Sequence, residues 1–383
     1  MDVSRQRQEL LLRQHGNAFF AHRGSRLFQV QGAVDRHREH IVSAGSGFSD
    51  QRLEHPVRAL AQKKRHPFPV RRIRIVDMDP VRDAPGVQQP QHIGLVIGFF
   101  HVPPPFPLIV AIQDRHFKES GMVIDFHAHV YPEKIALKAA QSIGEFYGVP
   151  MAHPGSVPEL LSAMDAGGID RALIHSVALN PSRAATINDF ISGQVREHPD
   201  RLYGYATLHP DMTESEAADE LERALSLGLR GVKLHNDMQR ISLEDPRMDK
   251  IYAVCQDTCP LLLHMGDDRY HYDNPHMIPP ILRRFPRLRL ICAHMGGYTE
   301  WEEARSALQH EDVAVDCSSS YFRLGNDGMK SAIRFFGADR VLFGTDFPMW
   351  DPPRELRFFL DLDITEDEKE KILHRNAEAL LNL

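Results

Sequence analysis

From Met122 onward the chain alternates short apolar runs with stretches of helical period. The runs are of strand length and fall at 122–129, 171–178, 202–208, 230–235, 260–266, 288–295, 312–318 and 340–346. Helical patterns lie between them. Val157 to Gly167 follows Ser156 as a candidate N-cap and stops at Gly167-Gly168, Ala184 to Glu197 ends at His198-Pro199, and Ser215 to Leu227 is amphipathic and ends at Gly228. Asp249 to Thr258, Pro275 to Arg284 and Glu300 to Leu308 follow. The tail, Thr365 to Leu381, carries an apolar stripe at Ile372, Leu373, Ala377, Leu380 and Leu381. Strands separated by helical crossovers run parallel. Eight such units in about 260 residues match an α/β fold of the closed (β/α)8 TIM-barrel type. A doubly wound open sheet is the alternative.

The first 121 residues lack this order. They are rich in Arg, Gln, His and Pro, and hold 18 Arg and Lys against 11 Asp and Glu, whereas the remainder holds 27 against 41. Leu10 to Phe20 is compatible with a helix and Arg71 to Val76 with a strand, but no sustained period links them. Three readings are open for this segment. Translation truly starts at Met122, or 1–121 is a poorly ordered basic extension, or it is a nucleic-acid-binding arm. Its positive charge is diluted by acids and interleaved with no aromatic platform, which argues against a nucleic-acid partner. The domain division expected is therefore 1–121 as extension and 122–383 as the catalytic barrel.

Composition adds little beyond an ordinary soluble globular class. The four cysteines, Cys255, Cys259, Cys292 and Cys317, form no Cys-x-x-Cys pair and are expected as buried thiols in a reducing compartment. Met1 to Gln14 has no apolar core of a secretory signal, and prolines at 103–105 and 107 interrupt the apolar stretch Ile93 to Ile112. The expectation is a cytoplasmic protein with no membrane span. The apolar residues Phe358-Phe359-Leu360 suit either a homodimer interface or the outer helix core.

Four of the apolar runs end in metal-binding side chains. Val123 to His129 closes with His127-x-His129, Leu261 to His264 with a histidine, Leu290 to His294 with another, and Val341 to Asp346 with a carboxylate. Alternation on a strand points His127 and His129 the same way, with Asp125 expected deeper on that face. Strand tips far apart in an open sheet meet around a single barrel mouth, where imidazoles and a carboxylate suit a divalent ion with an open coordination position.

These residues resemble the amidohydrolase superfamily, and more closely the amidohydrolase-related branch that includes aminocarboxymuconate-semialdehyde decarboxylase. The resemblance rests on Asp125-Phe126-His127-Ala128-His129, Gly231-Val232-Lys233-Leu234-His235, Ala293-His294-Met295-Gly296-Gly297, Phe343-Gly344-Thr345-Asp346 and Asn376-Ala377-Glu378-Ala379-Leu380-Leu381, and spans Met122 to Leu383. It implies one divalent ion, usually zinc, on His127, His129, His264 and Asp346, with His294 free as acid or base. In two-metal relatives the strand-6 histidine is a ligand and a strand-4 lysine bridges, so Lys233 keeps a second metal open.

Metal ligation brings the pKa of bound water from about 15.7 to near 7. The leading expectation is hydrolysis of a small carboxylate-bearing lactone, ester or amide, with His294 and Asp346 handling protons. Non-oxidative decarboxylation of an unsaturated or aromatic acid at the same site is the alternative. Arg183, Arg269, His235, His271 and Lys233 are candidates to meet the substrate carboxylate, and Trp350 to wall the pocket.

Overall fold

The computed structural model describes residues 121–383 throughout, together with five short strands upstream of them. The chain divides into two compact units, Met1–Phe117 and Lys118–Leu383. In the first, Phe19–Arg23 pairs antiparallel with Arg26–Val30, and Ile41–Ala44 lies between Ile75–Asp77 and Leu95–Val96. The helix expected over 10–20 lies outside the described residues except for Phe19 and Phe20, which are in a strand.

The second unit is the expected barrel. Its strands are β1 (Ile124–His129), β2 (Arg171–His175), β3 (Leu202–Gly204), β4 (Val232–Leu234), β5 (Leu261–Leu263), β6 (Leu290–Cys292), β7 (Ala314–Asp316) and β8 (Val341–Leu342), each inside an apolar run read from the sequence. β1 to β3 form one parallel ladder and β4 to β8 another. Parallel bridges between Ala206 and Val232 and between Ala128 and Phe347 join the two ladders at both edges and close the ring.

Alternation sorts the strand residues. Leu261 and Leu263 join a cluster with helix residues such as Leu160, Ile191, Leu221, Ile251 and Phe359, so they face outward. Leu262 joins Ile124, Phe126, Leu173, Ile291 and Leu342 in a second cluster that fills the barrel, closed by Ala377 and Leu381 of the tail. Lys233 lies between two outward residues, Val232 and Leu234, and so points inward.

β1 departs from strict alternation. Asp125 pairs with Ala172 and Ala128 with Ile174, so two residues of β1 face one of β2, a bulge that re-aims side chains. The bulge separates Asp125 from the face of His127, contrary to the sequence expectation. Asp125 instead takes hydrogen bonds from Thr345 N at 3.0 Å and Thr345 Oγ1 at 2.6 Å, pinning the β8 loop to β1.

The helices over Val157–Gly167, Ala184–Glu197 and the tail fall where expected, and Glu214–Ser226 is displaced by one residue. Ser156 occupies the N-cap position without a side-chain cap, whereas Thr213 and Glu216 form a full capping box. Further helices appear, among them α1 (Glu133–Tyr147) over the barrel mouth, α2 (Tyr321–Phe336) and α3 (Pro352–Leu360). Phe359 is buried in the outer core and Phe358 stacks on Tyr321. The four cysteines are buried free thiols. Among the described residues, no helix is long and apolar enough to cross a membrane.

Candidate metal centre

His127 and His129 close β1, and Asp346 follows β8 at the same rim. His127 Nε2 is 3.2 Å from His129 Nε2, and Asp346 Oδ1 is 3.5 and 3.6 Å from these nitrogens. Donors about 2.0–2.1 Å from a tetrahedral ion stand roughly 3.4 Å apart, so this triangle has the edge such an ion needs. The tautomer agrees. His127 Nδ1 is 2.8 Å from Asp316 Oδ2. A carboxylate only accepts, so the ring proton sits on Nδ1 and an Nε2 lone pair faces the triangle. Burial holds both imidazoles well below their ordinary pKa, neutral as ligands must be.

Burial pushes Asp346 up to about 7, although the Ser319 hydroxyl and Lys233 act to lower it. Ser319 Oγ donates to Asp346 Oδ2 at 2.5 Å, and Trp350 Nε1 donates to Ser319 Oγ at 2.8 Å. Trp350 also stacks on Phe322 with ring centroids 4.9 Å apart. It thus buttresses the aspartate through Ser319 and does not wall the cavity. Three residues here adopt left-handed backbone without being glycine: His294 (φ 60°), Asp346 (φ 59°) and Ser319 (φ 48°). Each costs on the order of 1–3 kcal/mol, and such residues cluster at functional sites.

His294 follows β6. Its Nδ1 is 3.1 Å from the Ser318 carbonyl, which only accepts, so Nδ1 carries the proton. Its Nε2 lone pair then accepts from His264 Nδ1 at 2.9 Å. Burial brings His294 down to about 4, against the pull of Asp316, leaving a neutral base.

The structure thus joins His127, His129 and Asp346 in one triangle, sets the His294 ring 5.1 Å from that of His127, and puts His264 against His294. His264 Nε2 lies 3.7 Å from Asp237 Oδ2. His235 stacks on His264 at 3.9 Å and holds Tyr147 Oη at 2.5 Å. Lys233 is fully buried with no hydrogen-bond partner among the described residues, and burial lowers it to about 8. Arg269 grips Asp267 with two nitrogens and lies over Phe146, Tyr147 and Tyr270, while Arg183 and His271 are exposed.

A cavity of about 340 Å³ opens onto His129, His264, His294 and Asp346. Its apolar wall includes Tyr131, Ile143, Val177, Met238 and Met349, and α1 contributes Ile135, Lys138, Ser142 and Tyr147 from one helical stripe. Sequence reasoning missed Lys138, Asp316, Ser318 and His175. Asp316 and His175 carried the same signal as the residues it found, an apolar run ending in a ligand-type side chain.

Residues 124–383 match the amidohydrolase family model. Over 268 residues the chain is 26% identical to gamma-resorcylate decarboxylase of Polaromonas sp., covering 56% of this chain and 80% of that protein. It is 24% identical over 240 residues to 2-amino-3-carboxymuconate-6-semialdehyde decarboxylase of Dictyostelium discoideum, covering 52% and 66%. The fold is similar to that of 5-carboxyvanillate decarboxylase from Novosphingobium aromaticivorans, solved with manganese and 4-hydroxy-3-methoxy-5-nitrobenzoic acid. That likeness has a TM-score of 0.55 at 18% identity over 70% of this chain and 97% of the neighbour.

Proposed function

The chain belongs to the amidohydrolase family, and on that premise we propose that it is a non-oxidative carboxy-lyase releasing CO2 from a small unsaturated or aromatic acid with one divalent ion. The observation that carries the choice of reaction is the likeness to proteins named as decarboxylases over most of the barrel. It supports the alternative drawn from the sequence above the hydrolysis expected first.

When bound, the ion supplies a Lewis acid for substrate oxygens. His127, His129 and Asp346 are the side chains that would hold it, and His264 is the further donor that the resemblance implies. Nitrogen and oxygen donors of this kind suit zinc, the ion expected, and also manganese, which the neighbour binds. A two-ion scheme would take His294 as a ligand, yet its Nε2 is engaged by His264, which favours a single ion.

The reaction breaks the bond between the carboxyl carbon and the substrate carbon. CO2 leaves, the electron pair stays on the substrate carbon, and one proton is taken up there. His294 faces the cavity beside Asp346 and, as a neutral base, takes up a proton from solvent and passes it to that carbon. Asp316 and Ser318 fix the His294 loop, and Ser319 fixes Asp346. The apolar wall receives a flat unsaturated substrate and keeps water from the developing carbanion. Lys138, which lines the cavity from α1, takes the carboxylate-pairing role expected of Arg183 and Arg269.

The test is to incubate the purified full chain with hydroxybenzoic acids, dienoic acids and carboxylated lactones and to follow CO2 by mass spectrometry. CO2 release matched by the decarboxylated product supports the reading. Lactone opening without CO2 overturns it in favour of hydrolysis.

A further inference from the structure

His175 closes β2 and is the register partner of His129 across the β1–β2 ladder. Its ring centroid is 4.4 Å from that of His129 and 4.8 Å from that of His127. A ligand nitrogen of His175 and those of His127 and His129 all lie within 4.8 Å of one another. The side chain is fully buried, and neither Nδ1 nor Nε2 has a hydrogen-bond partner among the described residues. A neutral imidazole has one donor nitrogen and one lone pair, and leaving such groups unmade in the interior is costly. A leucine would fill the same space without that cost. Among the described residues no carbonyl or carboxylate hydrogen-bonds the His175 ring, and the two histidines that face the metal triangle stand against it.

We propose that His175 is a further protein donor to the ion held by His127, His129 and Asp346, so that β2 as well as β1 and β8 supplies the centre. This rests on the divalent-ion reading given above. The ion would use the His175 lone pair, and binding would settle a polar group that the fold otherwise leaves without a partner. It also adds to the donor set implied by the family resemblance, which draws no ligand from β2.

The test titrates cobalt(II) into the metal-stripped full chain and its His175→Leu and His175→Gln variants, reading visible absorption and thermal unfolding. Metal-stripped His175→Leu should unfold no lower than the parent, because a buried polar group without partners is replaced by an apolar one. Its cobalt affinity should fall by about 10-fold or more, with a changed absorption band, and the unfolding shift on loading should shrink accordingly. Unaltered affinity and band in both variants would overturn the assignment. If the parent itself takes up no cobalt, the divalent-ion reading fails, an outcome distinct from failure of the His175 assignment.

Discussion

Asp316 Oδ2 lies 2.8 Å from His127 Nδ1, and neither side chain touches solvent. The other oxygen accepts from Ser318 N, Ser318 Oγ and the backbone N–H of His294. One carboxylate thereby sets the tautomer of a metal-facing imidazole and the position of the proton-handling one. Asp316→Asn is expected to weaken metal binding by about 10- to 100-fold. Activity should fall further than metal loading explains, because the His294 loop loses an anchor. Chelator competition and kcat/KM at saturating metal separate the two effects.

His294→Ala is expected to keep the metal and lose most activity, by about 10²- to 10⁴-fold for a group acting in proton transfer. Metal analysis beside CO2 release checks this. Loss of the ion would favour the two-metal scheme, in which this histidine is a ligand.

Gly344 stands where β8 passes β1. A Cβ placed there would lie 2.9 Å from His127 Cβ and 3.3 Å from Ser318 Cβ, closer than packed carbons tolerate. Gly344→Ala is therefore expected to cost about 1–3 kcal/mol of stability and to push His127 off the triangle. Lower thermal unfolding with weakened metal affinity would bear this out. A full-affinity variant would show that β1 yields without moving the ligand.

Much of the barrel was legible because each strand is an apolar run and each run is followed by a crossover. His127, His129, His264, His294 and Asp346 were legible because they end such runs. What escaped did so for local reasons. The bulge in β1 is invisible to a period-two reading, so Asp125 was placed on the wrong face. α2 was not among the expected helices; Gly325 and Gly328 are poor helix formers, and the helix runs through them with a kink at Gly325 (φ 57°). α3 was not expected either, although Pro352 and Pro353 at its first helical positions are a recognised way to open a helix. Arg269 was a candidate as a cation at the barrel mouth, and its side-chain pairing with Asp267 is not readable from the sequence.

Glu355 on α3 offers a test that needs no bound metal. Burial raises its carboxyl from the ordinary 4.5 to about 7, with Asp351, Asp346 and Asp125 adding to the effect and Arg354 opposing it. The folded state therefore retains a proton that the unfolded chain releases. Stability falls as pH rises from the unfolded value through the folded one; the cost is absent below about pH 4 and complete above about pH 8. Glu355→Gln is neutral at every pH and removes that cost. The variant should match the parent near pH 4 and unfold a few degrees higher near pH 8, a gain of about 1–2 kcal/mol for a side chain that keeps some solvent contact. Thermal melts of the metal-free protein across this range give the answer. An equal gain at both ends would mean that the glutamine acts through packing and not through the proton.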